Sequence, residues 1–211
     1  MQFVRRHWYD LGIFIAIALT ACLALTYSSL TTYEILLWMN AIALFLHQFE
    51  EYRFPGTFPG MINTVLFKSA TPDRYPLNPN TALGINVVVG WGTYLLAAIL
   101  AEKAIWLGIA VILVSLGNFI AHTFLFNIKG KTFYNAGMLT SWVFFAPLVC
   151  LFFYHLYANH LASSADYVVG ILLGIALNVF GVLKPITWLA DRNTKYVFPQ
   201  RNLLAVHQSS L

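Results

Sequence analysis

Six apolar stretches, each long enough to cross a lipid bilayer as a helix, constrain this chain more than any other feature. A transmembrane helix needs about 20 mostly apolar residues. Such stretches occupy residues 11–27, 33–51, 82–100, 105–128, 137–158 and 167–189. They are too long for membrane strands and lack the two-residue alternation of a barrel. The sequence therefore predicts an all-α membrane protein, in which one domain over residues 1–211 forms a bundle of about six transmembrane helices.

The composition agrees with this fold class. Only 9% of the 211 residues are charged and 59% are hydrophobic, whereas an ordinary soluble domain is about 25% charged. These values exclude an ordinary soluble domain, a disordered chain and a basic nucleic-acid binder. Two cysteines are too few for a disulfide scaffold. We expect the lipid bilayer as the main partner and no nucleic acid.

The Lys and Arg residues predict the orientation of the bundle. Of the 12 Lys and Arg residues, all except Lys103 fall on one side of the six predicted spans. Because short cytoplasmic loops are enriched in Lys and Arg, both termini are predicted to be cytoplasmic. The pattern is typical of a multi-pass protein of the cell membrane.

The connection between the second and third predicted spans, residues 52–81, is the only long one. It holds five of the eight prolines, and proline and glycine end a helix. Its middle, residues 61–70, predicts a short interfacial helix with Lys68 facing water. We expect this Pro-rich cytoplasmic loop to cover a polar pocket.

Polar residues inside the predicted spans converge near the cytoplasmic end. The second span ends in His47-Gln48-Phe49-Glu50-Glu51, and residues three or four apart share a helix face. His47 therefore projects with both glutamates. The fourth span places Asn118 and His122 on one face at a similar depth. Because ionisable groups inside a membrane are costly, they are candidates for function.

Three further polar residues are predicted at the same depth, in other parts of the bundle. Asn86 lies in the third span, Tyr134 precedes the fifth, and Asn178 lies in the sixth. We expect them to orient a substrate or to support the site. For Asn178 a second interpretation is open, because it continues a stripe of small residues, Gly170, Gly174 and Gly181, that is typical of close helix packing.

The first chemistry that fits this cluster is metal binding. His47, His122 and one glutamate, with Glu51 as the preferred ligand, would form a site for a divalent ion, zinc or iron. The other glutamate would act as a general base, so Glu50 and Glu51 are the catalytic candidates. This interpretation predicts a metal-dependent, hydrolytic membrane enzyme that acts on a lipid or an apolar small molecule.

Two other classes of function stay open at this point. A metal-free His/Glu pair can move protons, which would make the protein an acid–base isomerase of a lipid-like substrate. A non-enzymatic scaffold or a transporter is the further alternative. Transport is disfavoured because the polar groups lie at one end of the bundle and do not form a path across it.

The segment His47–Glu51 resembles the signature of the HXXEE family, which comprises small multipass membrane proteins of unassigned activity. Asn118-x-x-x-His122 is similar to a later block of that family. The segment Tyr134–Gly137 is also similar, with Ala136 where the family pattern has proline. The resemblance covers about residues 40–140 and implies an enzyme without naming its substrate.

Overall fold

The structure, a computed structural model, describes residues 2–204, and within them it contains helices and no strand. The seven helices are α1 Gln2–Thr26, α2 Thr32–Tyr52, α3 58–66, α4 79–100, α5 105–130, α6 Met138–Ala158 and α7 Ser164–Trp188. Short 3₁₀ turns lie at Tyr27–Ser29, Ala101–Ala104 and Gln200–Asn202. The predicted all-helical fold is confirmed.

The predicted number of spans is not matched. Four helical segments of the described chain are long and apolar enough to cross a membrane: Phe3–Ser29, Pro79–Gly130, Met138–Ala158 and Ser164–Trp188. The second of these is 52 residues long and contains both α4 and α5. The 3₁₀ turn Ala101–Ala104 divides it, and the Tyr94 hydroxyl lies 2.9 Å from Ser115 Oγ. A continuous helix would separate these two residues by about 30 Å, so α4 and α5 form a hairpin.

Helix α2 is absent from the four apolar segments because it carries the polar residues of the predicted site. It begins at a capping box, in which Thr31 and Glu34 satisfy each other's backbone amides. It ends at Tyr52, just before Pro55 and Gly56. Helices α1, α4, α5 and α6 all pack against it. These polar side chains lower the hydropathy of α2, and the neighbouring helices bury most of them.

Helix α7 packs closely on α5 through its small residues. A Cβ atom added at Gly170 would lie 2.7 Å from Cβ of Ile109, so only glycine permits this approach. One turn below Gly174, Asn178 Nδ2 donates to the carbonyl of Leu113 at 3.2 Å. The stripe of small residues therefore serves close packing of α7 on α5, and Asn178 hydrogen-bonds across the same contact.

The loop between α2 and α4 contains a short helix that is partly buried. Its helix occupies residues 58–66, not 61–70, and Met61 and Ile62 are buried. Buried Asn63 organises the rest, because its Nδ2 donates to the carbonyls of Pro72 and Leu77 at 2.8 Å. The short helix expected in this loop is therefore present with shifted bounds and with Lys68 exposed, and its other face packs against the protein.

Candidate metal centre

Three buried side chains from two helices converge at one point. His47 and Glu51 come from α2 and His122 from α5, and one ligand atom of each lies within 4.8 Å of the others. Glu51 Oε1 lies 3.5 Å from His47 Nε2 and 3.3 Å from His122 Nε2. The imidazole rings of the two histidines meet edge to face, with centroids 4.8 Å apart.

Local helix geometry produces this arrangement. His47 and Glu51 are four residues apart, so they stack on one face of α2. His122 lies in a π-helical stretch of α5, Ala121–Leu125. Such widened turns re-aim side chains and are frequent at functional sites.

The hydrogen bonds of His122 assign its tautomer. Its Nδ1 lies 2.6 Å from Asn135 Oδ1, an oxygen that can only accept. The orientation of the Asn135 amide is fixed, because its Nδ2 donates to the carbonyl of His122 and to Asn127 Oδ1, both at 2.8 Å. His122 Nδ1 therefore carries the proton, and Nε2 presents a lone pair towards Glu51.

The same logic applies to His47. Its Nδ1 lies 3.0 Å from Thr140 Oγ1, and the Thr140 hydroxyl donates to Glu50 Oε2. The threonine oxygen therefore accepts from His47 Nδ1, which leaves a lone pair on His47 Nε2. This chain of a carboxylate, a hydroxyl and an imidazole is the kind of support that orients metal-ligating histidines.

With both imidazoles neutral, the centre of the cluster contains two lone pairs that face a carboxylate. Neither His47 Nε2 nor His122 Nε2 has a hydrogen-bond partner among residues 2–204, and both face a carboxylate oxygen. Buried polar atoms without a partner are rare and costly. A divalent cation is the natural complement of two imidazole lone pairs and one carboxylate, so this donor set fits a metal.

Glu50 occupies a different environment from Glu51, although it is adjacent in sequence. Its carboxylate accepts from the Tyr134 hydroxyl at 2.7 Å, from the Leu139 amide at 3.1 Å and from the Thr140 amide at 2.8 Å, besides the Thr140 hydroxyl. Burial and this contact with Glu50 raise the pKa of Tyr134, so the phenol stays a donor at neutral pH. Glu50 therefore fastens the start of α6 to α2.

Aromatic rings enclose the two histidines. Phe58 of α3 stacks on His122 with centroids 5.6 Å apart, and Phe126 meets the same ring edge-on at 4.8 Å. Phe145 lies 4.9 Å from the ring of His47. The loop between α2 and α4 thus covers the site through Phe58, as its position in the sequence predicts.

Gly137 leaves the space in which His122 sits. Its φ is +105°, a conformation that L side chains rarely adopt, and an added Cβ would lie 2.3 Å from His122 Cε1. Glycine is therefore required at this position for two reasons: the positive φ of the turn before α6 and the close approach of the imidazole.

A cavity of about 70 Å³ borders the cluster between α2, α4 and α7. His47 and Glu51 open onto it, and its other polar lining comes from Gln48, Asn86 and Asn118 among others. Gln48 Nε2 donates to Asn86 Oδ1 at 3.1 Å, which fixes both amides. The remaining wall is mostly aliphatic and aromatic, so the cavity suits a small or apolar group.

The structure therefore brings some of the candidate residues together and separates others from them. His47, Glu51 and His122 lie together, and Asn86 and Asn118 line the adjoining cavity. Tyr134 lies beyond Glu50, and Asn178 contacts the backbone of α5. Sequence reasoning missed the supporting roles of Asn135 and Thr140 and the stacking of Phe58. The signal available for the first two was their position as polar residues that flank the start of the predicted span 137–158.

Over the described residues, fold and site together define a helical protein with four candidate membrane-spanning segments and a buried His/Glu/His cluster that can hold a metal ion. The chain belongs to the family described as "Protein of unknown function with HXXEE motif", whose family model matches residues 38–153. The resemblance inferred from the motif is thereby confirmed. No curated protein and no solved structure matches the chain.

Proposed function

We propose that this protein is a metal-dependent integral membrane enzyme that hydrolyses a lipid or another apolar small molecule. One observation carries the proposal: two buried imidazole Nε2 atoms, each fixed from its Nδ1 side, face the Glu51 carboxylate without a hydrogen-bond partner in the described chain. Two histidines and one carboxylate are the ligand set of several catalytic zinc sites.

The residues take distinct roles in this proposal. His47, Glu51 and His122 would hold the ion, which supplies Lewis acidity and activates water in sites of this type. Asn135 and Thr140 hold the imidazoles in the ligating tautomer. Asn86 and Asn118 face the cavity where polar groups of a substrate would bind. We assign Glu50 a positioning role in place of the general-base role, since four donors already occupy its oxygens.

The proposed location is a cell membrane that the chain crosses six times. The four apolar segments contribute five crossings, because the hairpin of α4 and α5 crosses twice. The sixth crossing is α2, which the other helices enclose. The distribution of Lys and Arg supports cytoplasmic termini and a site near the cytoplasmic leaflet.

Activity assays of metal-loaded protein test the enzymatic part of the proposal. The purified protein, stripped of metal and reloaded with Zn²⁺ or Fe²⁺, would be incubated with a panel of lipid esters, amides and phosphodiesters. We expect hydrolysis that requires the metal and disappears in His122→Ala. Asn178→Ala is the matched control, since the described hydrogen bonds of Asn178 go to helix backbone and none goes to the cluster. Equal turnover by wild type and His122→Ala on every substrate would contradict the proposal.

A metal-free isomerase is the second candidate, and the same distances favour it. A proton shared between Glu51 and a histidine Nε2 at 3.3 or 3.5 Å would also satisfy the facing acceptors, and such a pair can shuttle protons. This candidate predicts double-bond migration in an apolar substrate that persists in the presence of a strong chelator. The hydrolase predicts that the chelator abolishes turnover.

A further inference from the structure

A second and larger cavity, of about 720 Å³, lies between the start of α1, the end of α2 and the C-terminal segment 195–202. Five cationic side chains line it: Arg5, Arg6, Arg53, Lys195 and Arg201. Its described lining contains neither aspartate nor glutamate. The nearest carboxylate that pairs with this lining is that of Asp10, which lies 2.9 Å from Arg53 Nε and 2.8 Å from His7 Nδ1. Four of the five cations therefore have no carboxylate partner in the described structure.

Two of the guanidinium groups are held in place by neutral partners. Arg201 donates to the Tyr9 hydroxyl at 2.8 Å and to the carbonyl of Arg53 at 3.1 Å. Arg5 lies over the ring of Tyr196, 3.7 Å from its centroid. A guanidinium has five N–H donors, so both groups keep donors for a ligand. Arginines fixed in this way are suited to the planar, bidentate recognition of phosphate.

The cavity lies at the end of a candidate membrane span, where a lipid surface is expected. It opens at the first residues of α1, where the candidate span Phe3–Ser29 begins. Phe3 and Val4 in the same turn are exposed apolar side chains. A basic pocket at the end of a span is positioned at the level of phospholipid headgroups, where such pockets bind anionic lipids.

We propose that this basic cavity binds the phosphate group of an anionic lipid. The site is separate from the metal centre, although Tyr52 lines both cavities. The ring of Tyr52 packs against Trp8 on the side of the basic cavity, and its hydroxyl accepts from Asn86 at 3.3 Å on the other side. Loss of metal binding therefore leaves this proposal standing, and its own test uses no metal.

The test measures binding of short-chain phosphatidic acid to the full-length protein in a non-ionic detergent. Phosphatidylcholine of the same chain length and inorganic phosphate are the comparison ligands. The informative variant is Arg6→Gln/Lys195→Gln, because neither side chain makes a described hydrogen bond or ion pair whose loss would disturb the fold. Lys129→Gln/Lys184→Gln is the matched control, since it removes two exposed lysines of the same membrane side that lie outside the cavity.

We expect saturable binding of phosphatidic acid that weakens about tenfold or more in Arg6→Gln/Lys195→Gln and stays unchanged in the control. Phosphatidylcholine should bind more weakly than phosphatidic acid, and inorganic phosphate should compete only at higher concentration. Equal binding of the two lipids, or equal losses in the two double variants, would overturn the site. Saturable binding of inorganic phosphate without binding of phosphatidic acid would contradict the proposal that the bound phosphate group belongs to a lipid.

Discussion

Glu50 and Glu51 are neighbours in sequence and almost equally buried, with 5% and 4% of their surface exposed, yet they occupy opposite kinds of environment. Glu50 points to the start of α6, where two backbone amides and two hydroxyls donate to it. Glu51 lies against the imidazole of His47 on its own helix and that of His122 on α5, with a ring Nε2 of each within 3.5 Å of its Oε1. Burial therefore does not distinguish which glutamate is suited to bind a metal. The hydrogen-bond donors around each carboxylate do, because those of Glu50 are already paired with it.

The difference shows how one helix end can serve both stability and chemistry. The donors around Glu50 make it a structural anchor whose loss would expose several unpaired groups. The environment of Glu51 offers no such set of donors, and a bound cation or a shared proton would complete it. The Thr140 hydroxyl joins the two regions, since it contacts both Glu50 and His47.

The largest expected effect comes from removing the anchor. Glu50→Ala leaves the amides of Leu139 and Thr140 and the Tyr134 hydroxyl without their acceptor, and should lower the free energy of unfolding by about 4 kcal/mol. Glu51→Gln in the metal-free protein should leave that free energy unchanged or raise it, because an amide N–H can donate to a histidine lone pair. Denaturation in mixed micelles measures both variants. An equal loss of stability in Glu50→Ala and Glu51→Gln would contradict the different roles assigned to the two glutamates.

Gly137→Ala tests whether the space around His122 is required. The added Cβ would lie 2.3 Å from His122 Cε1, and φ at this position is +105°, so we expect a loss of about 3 kcal/mol in unfolding free energy, together with weaker metal binding. Gly84→Ala is the control, because nothing lies within 4 Å of its added Cβ. Unchanged melting of Gly137→Ala would show that the imidazole lies elsewhere.

Asn135→Ala probes the support of a ligand and not the ligand itself. Without the acceptor at 2.6 Å from Nδ1, His122 loses its fixed tautomer, and metal affinity should fall roughly tenfold to a hundredfold. Competition with a fluorescent chelator measures this change. Asn118→Ala should retain full affinity, since the Asn118 amide donates to its own helix at Val114. An equal decrease of metal affinity in both variants would indicate a general destabilisation of the fold and not the loss of support for His122.

The smallest effect is expected from Tyr134→Phe, which removes one of the four donors to Glu50. The half-exposed phenol should contribute about 1 kcal/mol to unfolding free energy through this hydrogen bond. Because the pKa of Tyr134 is raised in the fold, this contribution is complete below the ordinary phenol pKa of about 10 and is lost as the pH rises towards the raised value. Unfolding of Tyr134→Phe and wild type across alkaline pH measures the convergence. A gap that widens with pH would contradict this assignment.

Much of the fold follows from local sequence. The predicted second span, residues 33–51, differs by one residue at each end from α2, Thr32–Tyr52. Its start is marked by the Thr31 and Glu34 capping box and its end by nearby proline and glycine. The turn Ala101–Ala104 falls between the predicted spans 82–100 and 105–128, as expected. The number of apolar segments differs from six because α2 carries polar residues where other helices enclose it and because α4 and α5 form one continuous apolar segment.

The site was predictable in its residues but not in their division of roles. His47 and Glu51 share a face because of helix periodicity alone, and equal depth brought His122 to the same level. The choice between Glu50 and Glu51 depends on where α6 begins, since the amides of Leu139 and Thr140 take up Glu50. That position is set by tertiary packing around Gly137, which no spacing in α2 reveals.

Metal content tests the central claim most directly. The protein would be purified in mild detergent without a histidine tag, incubated with Zn²⁺ or Fe²⁺, desalted and subjected to elemental analysis beside His47→Ala, His122→Ala and Asn178→Ala. We predict about one ion per chain in wild type and Asn178→Ala, and loss of the ion in both histidine variants. Absence of metal from the loaded wild type, or equal metal in all four proteins, would contradict the assignment of His47, Glu51 and His122 as ligands.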